Sequence, residues 1–194
     1  IVTITDNDTA FFKKYHKRVY KIPHQFESSR EVYRMPDTKQ GNMILFVGRN
    51  DNNKGIFYLY TLDSKYEIHL VTKGGVKRKD FIVHNNISSG ELSALYERAA
   101  LVVIPSRYEA FSYVALEAFA HGTPVVMSDR VMIADYLKDC KGYNTFKFGD
   151  IKDFLQAVEK TIGQPLDMDK ILPQFEKVKI KASYKNVYER VINK

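Results

Sequence analysis

Two glutamates, Glu109 and Glu117, stand eight positions apart on either side of Phe111, Ser112 and Tyr113, where an apolar strand gives way to a helix. The first backbone N–H groups of a helix lack partners within it and sit at the positive end of its dipole, so such a point favours a phosphate. Carboxylates on both sides accept hydrogen bonds from hydroxyl groups. Two hydroxyl-binding acids around one phosphate-binding helix end match the outline of a sugar, a diphosphate and a ribose. Glu117 lies between Leu116 and Ala118 in an otherwise apolar helix, and a carboxylate in that setting needs partners.

A second group follows the apolar run 42–47. Gly48 allows a sharp turn, and Arg49 and Lys54 then occupy one strand-to-helix loop, both within reach of a single anion. A guanidinium fork beside an ammonium point charge suits a diphosphate. The loop lacks the paired glycines and the Gly-Lys-Ser/Thr ending of a Walker A motif.

These residues need elements to hold them. Strands are expected over 1–5, 19–22, 42–47, 66–72, 81–84, 100–104, 124–128 and 144–148. Helices are expected over 9–16, 55–62, 88–98, 112–121 and 131–139, from 150 to 163, and after Ser183. The run 42–47 has no polar alternation, as befits a strand buried on both faces. Ser88 and Glu91 form a capping box, and Asp150 and Gly163 bracket a helix whose apolar stripe includes Phe154, Leu155 and Val158. Strand–helix alternation at this spacing predicts an α/β fold, a Rossmann-like doubly wound parallel sheet with helices on both faces. Ligands in such folds sit beyond the carboxyl ends of the strands.

The chain has 194 residues, a net charge of +7 and one cysteine, Cys140. These numbers exclude an intrachain disulfide and a cysteine-rich zinc site, and fit a cytoplasmic protein. The longest apolar run, residues 99–104, is far shorter than the ~20 residues that span a bilayer. The densest basic groups, 13–18 and 77–79, join no nucleic-acid-binding motif, so no nucleic-acid partner is expected. Asp6 and Asp8 form an Asp-x-Asp, read as helix capping rather than a metal site. His16, His24, His69, His84 and His121 are scattered, none at metal-ligand spacing. Ile1 opens an apolar run, so the chain is expected to be a piece of a longer protein.

The block Pro105-Ser106-x-x-Glu109-x-Phe111-x-x-x-x-Leu116-Glu117-Ala118-x-Ala120-x-Gly122-x-Pro124-Val125-Val126 resembles the signature of retaining glycosyltransferases of family 4, also called glycosyl transferases group 1. Val47-Gly48-Arg49 with Lys54-Gly55, the pattern from Glu91 to Val103, and Lys21-Ile22-Pro23-His24 are similar to further segments of that family. The resemblance implies a GT-B architecture of two Rossmann-like domains. Residues 1–24 would be the last strand and helix segment of an absent N-terminal domain, 25–41 a linker and 42–182 the nucleotide-sugar-binding domain. Residues 183–194 would be a helix leaning toward the N-terminal domain.

By the same resemblance Arg49, Lys54 and Glu109 would be catalytic. Gly48, Arg49, Lys54, Glu109, Ala110, Phe111, Ser112, Tyr113 and Glu117 would bind the nucleotide-sugar, with the base near residues 85–88. A UDP-, GDP- or ADP-sugar would donate a hexose-type sugar with retention and without a metal. The acceptor, a sugar, a lipid-linked sugar or a protein, would bind the absent domain, and the full-length protein has room for peripheral membrane association. Ala110 and Ser112 stand where the family often has glycine. That departure keeps open a degenerate, non-catalytic nucleotide-sugar-binding module or partner subunit. A nucleotide-sugar epimerase-like enzyme is the reading the paired signatures disfavour.

Overall fold

The structure, a computed structural model, describes residues 1–27, 40–76 and 78–193. Most of the expected linker at 25–41 and Lys77 of the second basic group lie outside these residues. In chain order the elements open with β1 (Val2–Thr3), α1 (Asp6–Lys13), β2 (Tyr20–Lys21) and β3 (Gln40–Val47). The 3-10 helix Ile56–Thr61, β4 (Glu67–Val71), β5 (Ile82–His84), α2 (Ser89–Arg98) and β6 (Ala99–Ile104) follow. After them come α3 (Tyr113–Ala120), β7 (Val125–Ser128), the 3-10 helix Met132–Tyr136, β8 (Tyr143–Phe146) and α4 (Ile151–Thr161). The chain closes with α5 (Met168–Ile171), the 3-10 helix Leu172–Phe175 and α6 (Lys177–Ile192).

Six strands form one parallel sheet in the order β5-β4-β3-β6-β7-β8. The chain starts at β3, winds outward through β4 and β5, crosses back to β6 and winds outward the other way. That is the doubly wound Rossmann order, and its switch point lies between β3 and β6. Both faces are covered, which is why β3 and β6 read as continuous apolar runs. Met43, Leu45, Val102 and Ile104 face one core with Leu95 and Tyr96 of α2 and Leu116 and Phe119 of α3. Ile44, Phe46, Leu101 and Val103 face the other with Tyr58, Leu59, Phe154 and Val158.

Local chemistry sets the ends of several helices. The Ser88–Glu91 capping box forms as expected: the Ser88 backbone N–H donates to the Glu91 carboxylate at 2.7 Å, and Ser88 Oγ accepts from Glu91 N–H at 3.2 Å. Asp150 Oδ1 caps α4 through Asp153 N–H at 3.1 Å, and Gly163, at φ 76°, takes the left-handed turn after it.

Five expectations are corrected. The 55–62 and 131–139 segments are 3-10 turns, over Ile56–Thr61 and Met132–Tyr136, rather than α-helices. α1 begins at Asp6, and its N-cap is Thr5, whose side chain accepts from Asp8 N–H; Asp6 instead pairs with Lys21 at 2.6 Å and Lys138 at 3.3 Å. The last helix begins at Lys177, not after Ser183. Of its residues only Ile180 is buried, Tyr184 and Val187 are half-buried, and Tyr188, Val191 and Ile192 are exposed. Finally, α5 and the turn after it were not expected; they bury Ile171 and Phe175 beneath α3.

β1 and β2 pair with each other in a separate two-stranded sheet. This unit is fastened to the larger one around the 3-10 turn: Asp6 N–H donates to Asp135 at 2.9 Å, Tyr136 Oη to the Ile4 carbonyl at 2.5 Å, and Lys21 Nζ lies 4.3 Å from the Tyr136 ring centre.

Candidate functional site

The loops that leave β3 and β6 flank the switch point, where a doubly wound sheet opens a crevice. They are stitched together by the backbone. Arg107 N–H donates to the Asn53 carbonyl at 2.6 Å, and Asn53 Nδ2 donates to the Tyr108 carbonyl at 3.2 Å. Gly55 adopts φ 67°, and a Cβ there would lie 1.9 Å from the Pro105 carbonyl oxygen. Only glycine fits both the conformation and the approach. The sharp turn expected at Gly48 is thus made at Gly55. Gly48 is not among the positive-φ residues, and its N–H continues the ladder to the Val71 carbonyl at 3.0 Å.

This stitching brings Lys54 against Glu109. Nζ and Oε2 are 2.9 Å apart, and the side chains are 22% and 13% exposed. Ser106 Oγ donates to the same carboxylate oxygen at 2.9 Å. The Glu109 backbone is clamped in turn: its N–H donates to the Arg130 carbonyl at 3.1 Å, and its carbonyl accepts from Met132 N–H at 2.8 Å. Lys54 has three N–H donors and spends one on Glu109, leaving two for a ligand oxygen. Arg49, expected to share one anion with Lys54, is 77% exposed and pairs with Asp51 at 3.1 Å. It lines a pocket at the ends of β3, β4 and β5 with Gly48, Thr72, His84, Asn86 and Ile87.

Glu117 opens onto a neighbouring pocket lined by Phe26, Leu92, Ser93 and Tyr96, and Leu92 belongs to both pockets. The partner its setting required is Tyr96, whose hydroxyl donates to the Glu117 carboxylate at 2.7 Å. Burial and the adjacent carboxylate raise the Tyr96 hydroxyl far above the usual tyrosine range, which keeps that proton in place. His121 acts as a helix-end residue, as expected: its Nδ1 lies 2.8 Å from the Glu117 carbonyl, and its ring stacks on Tyr96.

Helix α3 begins at Tyr113, with Ser112 as its cap; Ser112 is fully buried and its Oγ accepts from Ala115 N–H at 3.4 Å. Its backbone is extended, and among the described residues the one non-glycine with positive φ is Asn86. Neither Ala110 nor Ser112 therefore occupies a conformation that demands glycine. Ser112 has a job of its own here, as the cap of α3. Phe111 and Tyr113 sit at the mouth of this helix under the His24 ring, whose centre is 5.1 Å and 6.2 Å from theirs.

Sequence reasoning assigned no role to Ser106, Tyr96 or Gly55, although all three fall inside the quoted patterns. It also left His69 and His84 apart. The structure joins them at 2.8 Å, because β4 and β5 are adjacent parallel strands, a relation that spacing along the chain does not reveal. Among the described residues no group of three or more side chains could hold a metal ion, and no helix is long and apolar enough to cross a membrane.

Fold and site together define a Rossmann-like domain that carries cations, carboxylates and a helix N-terminus on the loops around its switch point. The sequence matches the family Glycosyl transferases group 1 over residues 63–177, and the chain belongs to it. It is 41% identical over 104 residues to an uncharacterized glycosyltransferase of Methanocaldococcus jannaschii, a match covering 44% of this chain and 27% of that protein. It is 29% identical over 133 residues to the O-antigen chain mannosyltransferase RfbU of Salmonella typhimurium, covering 63% of this chain and 33% of that one. Among solved structures it superposes on the apo form of the lipopolysaccharide outer core galactosyltransferase WaaB with a TM-score of 0.79 at 16% identity, covering 98% of this chain and 62% of WaaB. The chain thus spans about a third or less of these two curated relatives. The fold is that of the GT-B glycosyltransferases.

Proposed function

We propose that this chain is the nucleotide-sugar-binding half of a retaining glycosyltransferase that transfers a hexose-type sugar. The observation that carries the reading is the Lys54–Glu109 pair, which closes the two loops at the switch point and sets a cation beside a carboxylate. In this reading Lys54 and Arg49 hold the donor diphosphate, with the backbone at Phe111, Ser112 and Tyr113. Glu109 and the backbone at Ala110 receive the sugar, Glu117 the ribose, and the pocket near Asn86 and Ile87 the base. When the bond between the sugar and the diphosphate breaks, negative charge grows on the leaving nucleotide. Lys54, held against Glu109, is the cation placed to stabilise that charge without reorganising, which supports a reaction without a metal.

The division of the chain belongs to the same proposal: 1–24 from the N-terminal domain, 42–182 the donor domain, 183–194 leaning back. The acceptor, whether a sugar, a lipid-linked sugar or a protein, would meet an N-terminal domain. The O-antigen mannosyltransferase among its relatives supports a place in polysaccharide synthesis. Arg49→Ala is expected to remove most affinity for a nucleoside diphosphate, measured by calorimetry; unchanged affinity would sink the placement of the phosphates. The 194-residue chain alone is expected to transfer no sugar, and turnover by it would refute the division of labour.

A further inference from the structure

Glu67, His69 and His84 share one face of the sheet and form a hydrogen-bonded chain. His69 Nε2 lies 2.5 Å from Glu67 Oε1, and His69 Nδ1 lies 2.8 Å from His84 Nε2. The chain runs inward from solvent and back out to the crevice. The Glu67 side chain is 41% exposed and that of His69 only 4%. His84 lines the pocket that also holds Arg49, Asn86 and Ile87. None of these three side chains has a part in the diphosphate or sugar contacts described above.

The proton positions follow from elementary bookkeeping. An ionised carboxylate only accepts, so His69 Nε2 carries a hydrogen. Neutral His69 then has a bare Nδ1, which must accept from His84 Nε2–H. His84 is left with a bare Nδ1, an acceptor. If one proton is added at that nitrogen, the shared proton passes from His84 Nε2 to His69 Nδ1. His69 then donates from both ring nitrogens, to Glu67 and to His84. His84 is neutral again but now carries its hydrogen on Nδ1, as a donor. One proton reverses the hydrogen-bonding sense of His84 without leaving a charge on it.

We propose that the Glu67–His69–His84 chain makes His84 a proton-switched specificity residue at the nucleobase end of the donor pocket. Its acceptor form selects a base edge that presents a ring N–H, such as N3–H of uracil or N1–H of guanine. Its donor form selects a bare ring nitrogen, as in cytosine or adenine. The inference rests on the donor-binding reading. The charged groups around His84 are His69 on β4, with Glu67 behind it, Glu91 and Arg98 on α2, and Arg49 and Lys73 on the pocket rim. Burial above all holds the His84 imidazole below its ordinary range, against the opposing pull of Glu91, which favours the uncharged ring over an imidazolium at this position.

The test has two arms. Ring-nitrogen NMR of the ligand-free chain should show both histidines protonated on Nε2 at about pH 7.5, with hydrogen appearing on His84 Nδ1 on acidification. His84 protonated on Nδ1 at neutral pH would overturn the proposal. Calorimetry with UDP and CDP, and with GDP and ADP, should then show the ratio of affinities within the binding pair falling about tenfold between about pH 7.5 and 5.5. In Glu67→Gln, at a half-buried position, the side-chain amide can donate as well as accept and no longer dictates the tautomer. That variant should lose the pH dependence. A ratio that falls equally in Glu67→Gln overturns the switch, whereas no binding of any nucleotide at either pH overturns the donor reading beneath it.

Discussion

Replacing Lys54 with methionine keeps the length of the side chain and removes its charge. Glu109, only 13% exposed, would lose its cation and retain the Ser106 hydroxyl at 2.9 Å as side-chain donor. A charge-assisted hydrogen bond is worth roughly 1.5–3 kcal/mol, and leaving a fully buried charge unpaired costs roughly 3–5 kcal/mol. Lys54 is 22% exposed, so water tempers the loss. A destabilisation of about 2 kcal/mol is expected, which lowers Tm by roughly 4–8 °C for a chain of this size. Adding Glu109→Gln removes the stranded charge and should restore about 1 kcal/mol of it. Nucleoside diphosphate affinity should fall at least ~10-fold in Lys54→Met and should not recover in the double variant, since no cation returns. Urea denaturation and calorimetry on wild type, both single variants and the double variant complete the cycle. A Lys54→Met protein as stable as wild type would refute the coupling, and recovery of affinity in the double variant would refute the phosphate role.

Other consequences are sharp enough to check. Gly55→Ala should cost more than ~2 kcal/mol in denaturation, since the new Cβ would meet the Pro105 carbonyl in a left-handed conformation. Asn86→Gly should be tolerated, whereas Asn86→Val should cost about 1–2 kcal/mol, because Asn86 sits at φ 54°. Tyr96→Phe, which removes the Glu117 partner at 2.7 Å, should lower stability by about 1 kcal/mol and weaken nucleotide binding, with equal affinity in the variant as the contrary result. Asp6→Asn should speed hydrogen exchange in α1. The Lys21 and Lys138 ammonium groups hold the Asp6 carboxyl below its usual range, so its contribution is present above the ordinary carboxylate pKa and is lost as pH falls through the lowered value. Wild type and Asp6→Asn should accordingly converge in acid.

The middle of the sheet was legible because β6 and β7 are buried along their whole length and announce themselves as apolar runs, of which 99–104 is the clearest. Helix ends were legible where a side chain makes them, as at Ser88, Asp150 and Gly163. The ends of α6 were not, because most of its face is unburied and tertiary contacts did not select the pattern. The turn at Met132–Tyr136 carries helix-like composition but gives its first N–H, that of Met132, to the Glu109 carbonyl and continues with three-residue bonds. In the site, residue types and the two loops could be read, including the need of Glu117 for a partner. Pairings across strands could not: Lys54 with Glu109 and His69 with His84 are separated by 55 and 15 positions, and only the sheet order brings them together.

The central claim is that this crevice holds a nucleotide-sugar donor. Calorimetric titration with UDP, GDP, ADP and CDP, beside a Glu117→Ala control, tests it directly. Saturable binding of one nucleotide above the others, weakened in the control, is the expected result. Equal binding of all four, or binding indifferent to Glu117, would contradict it.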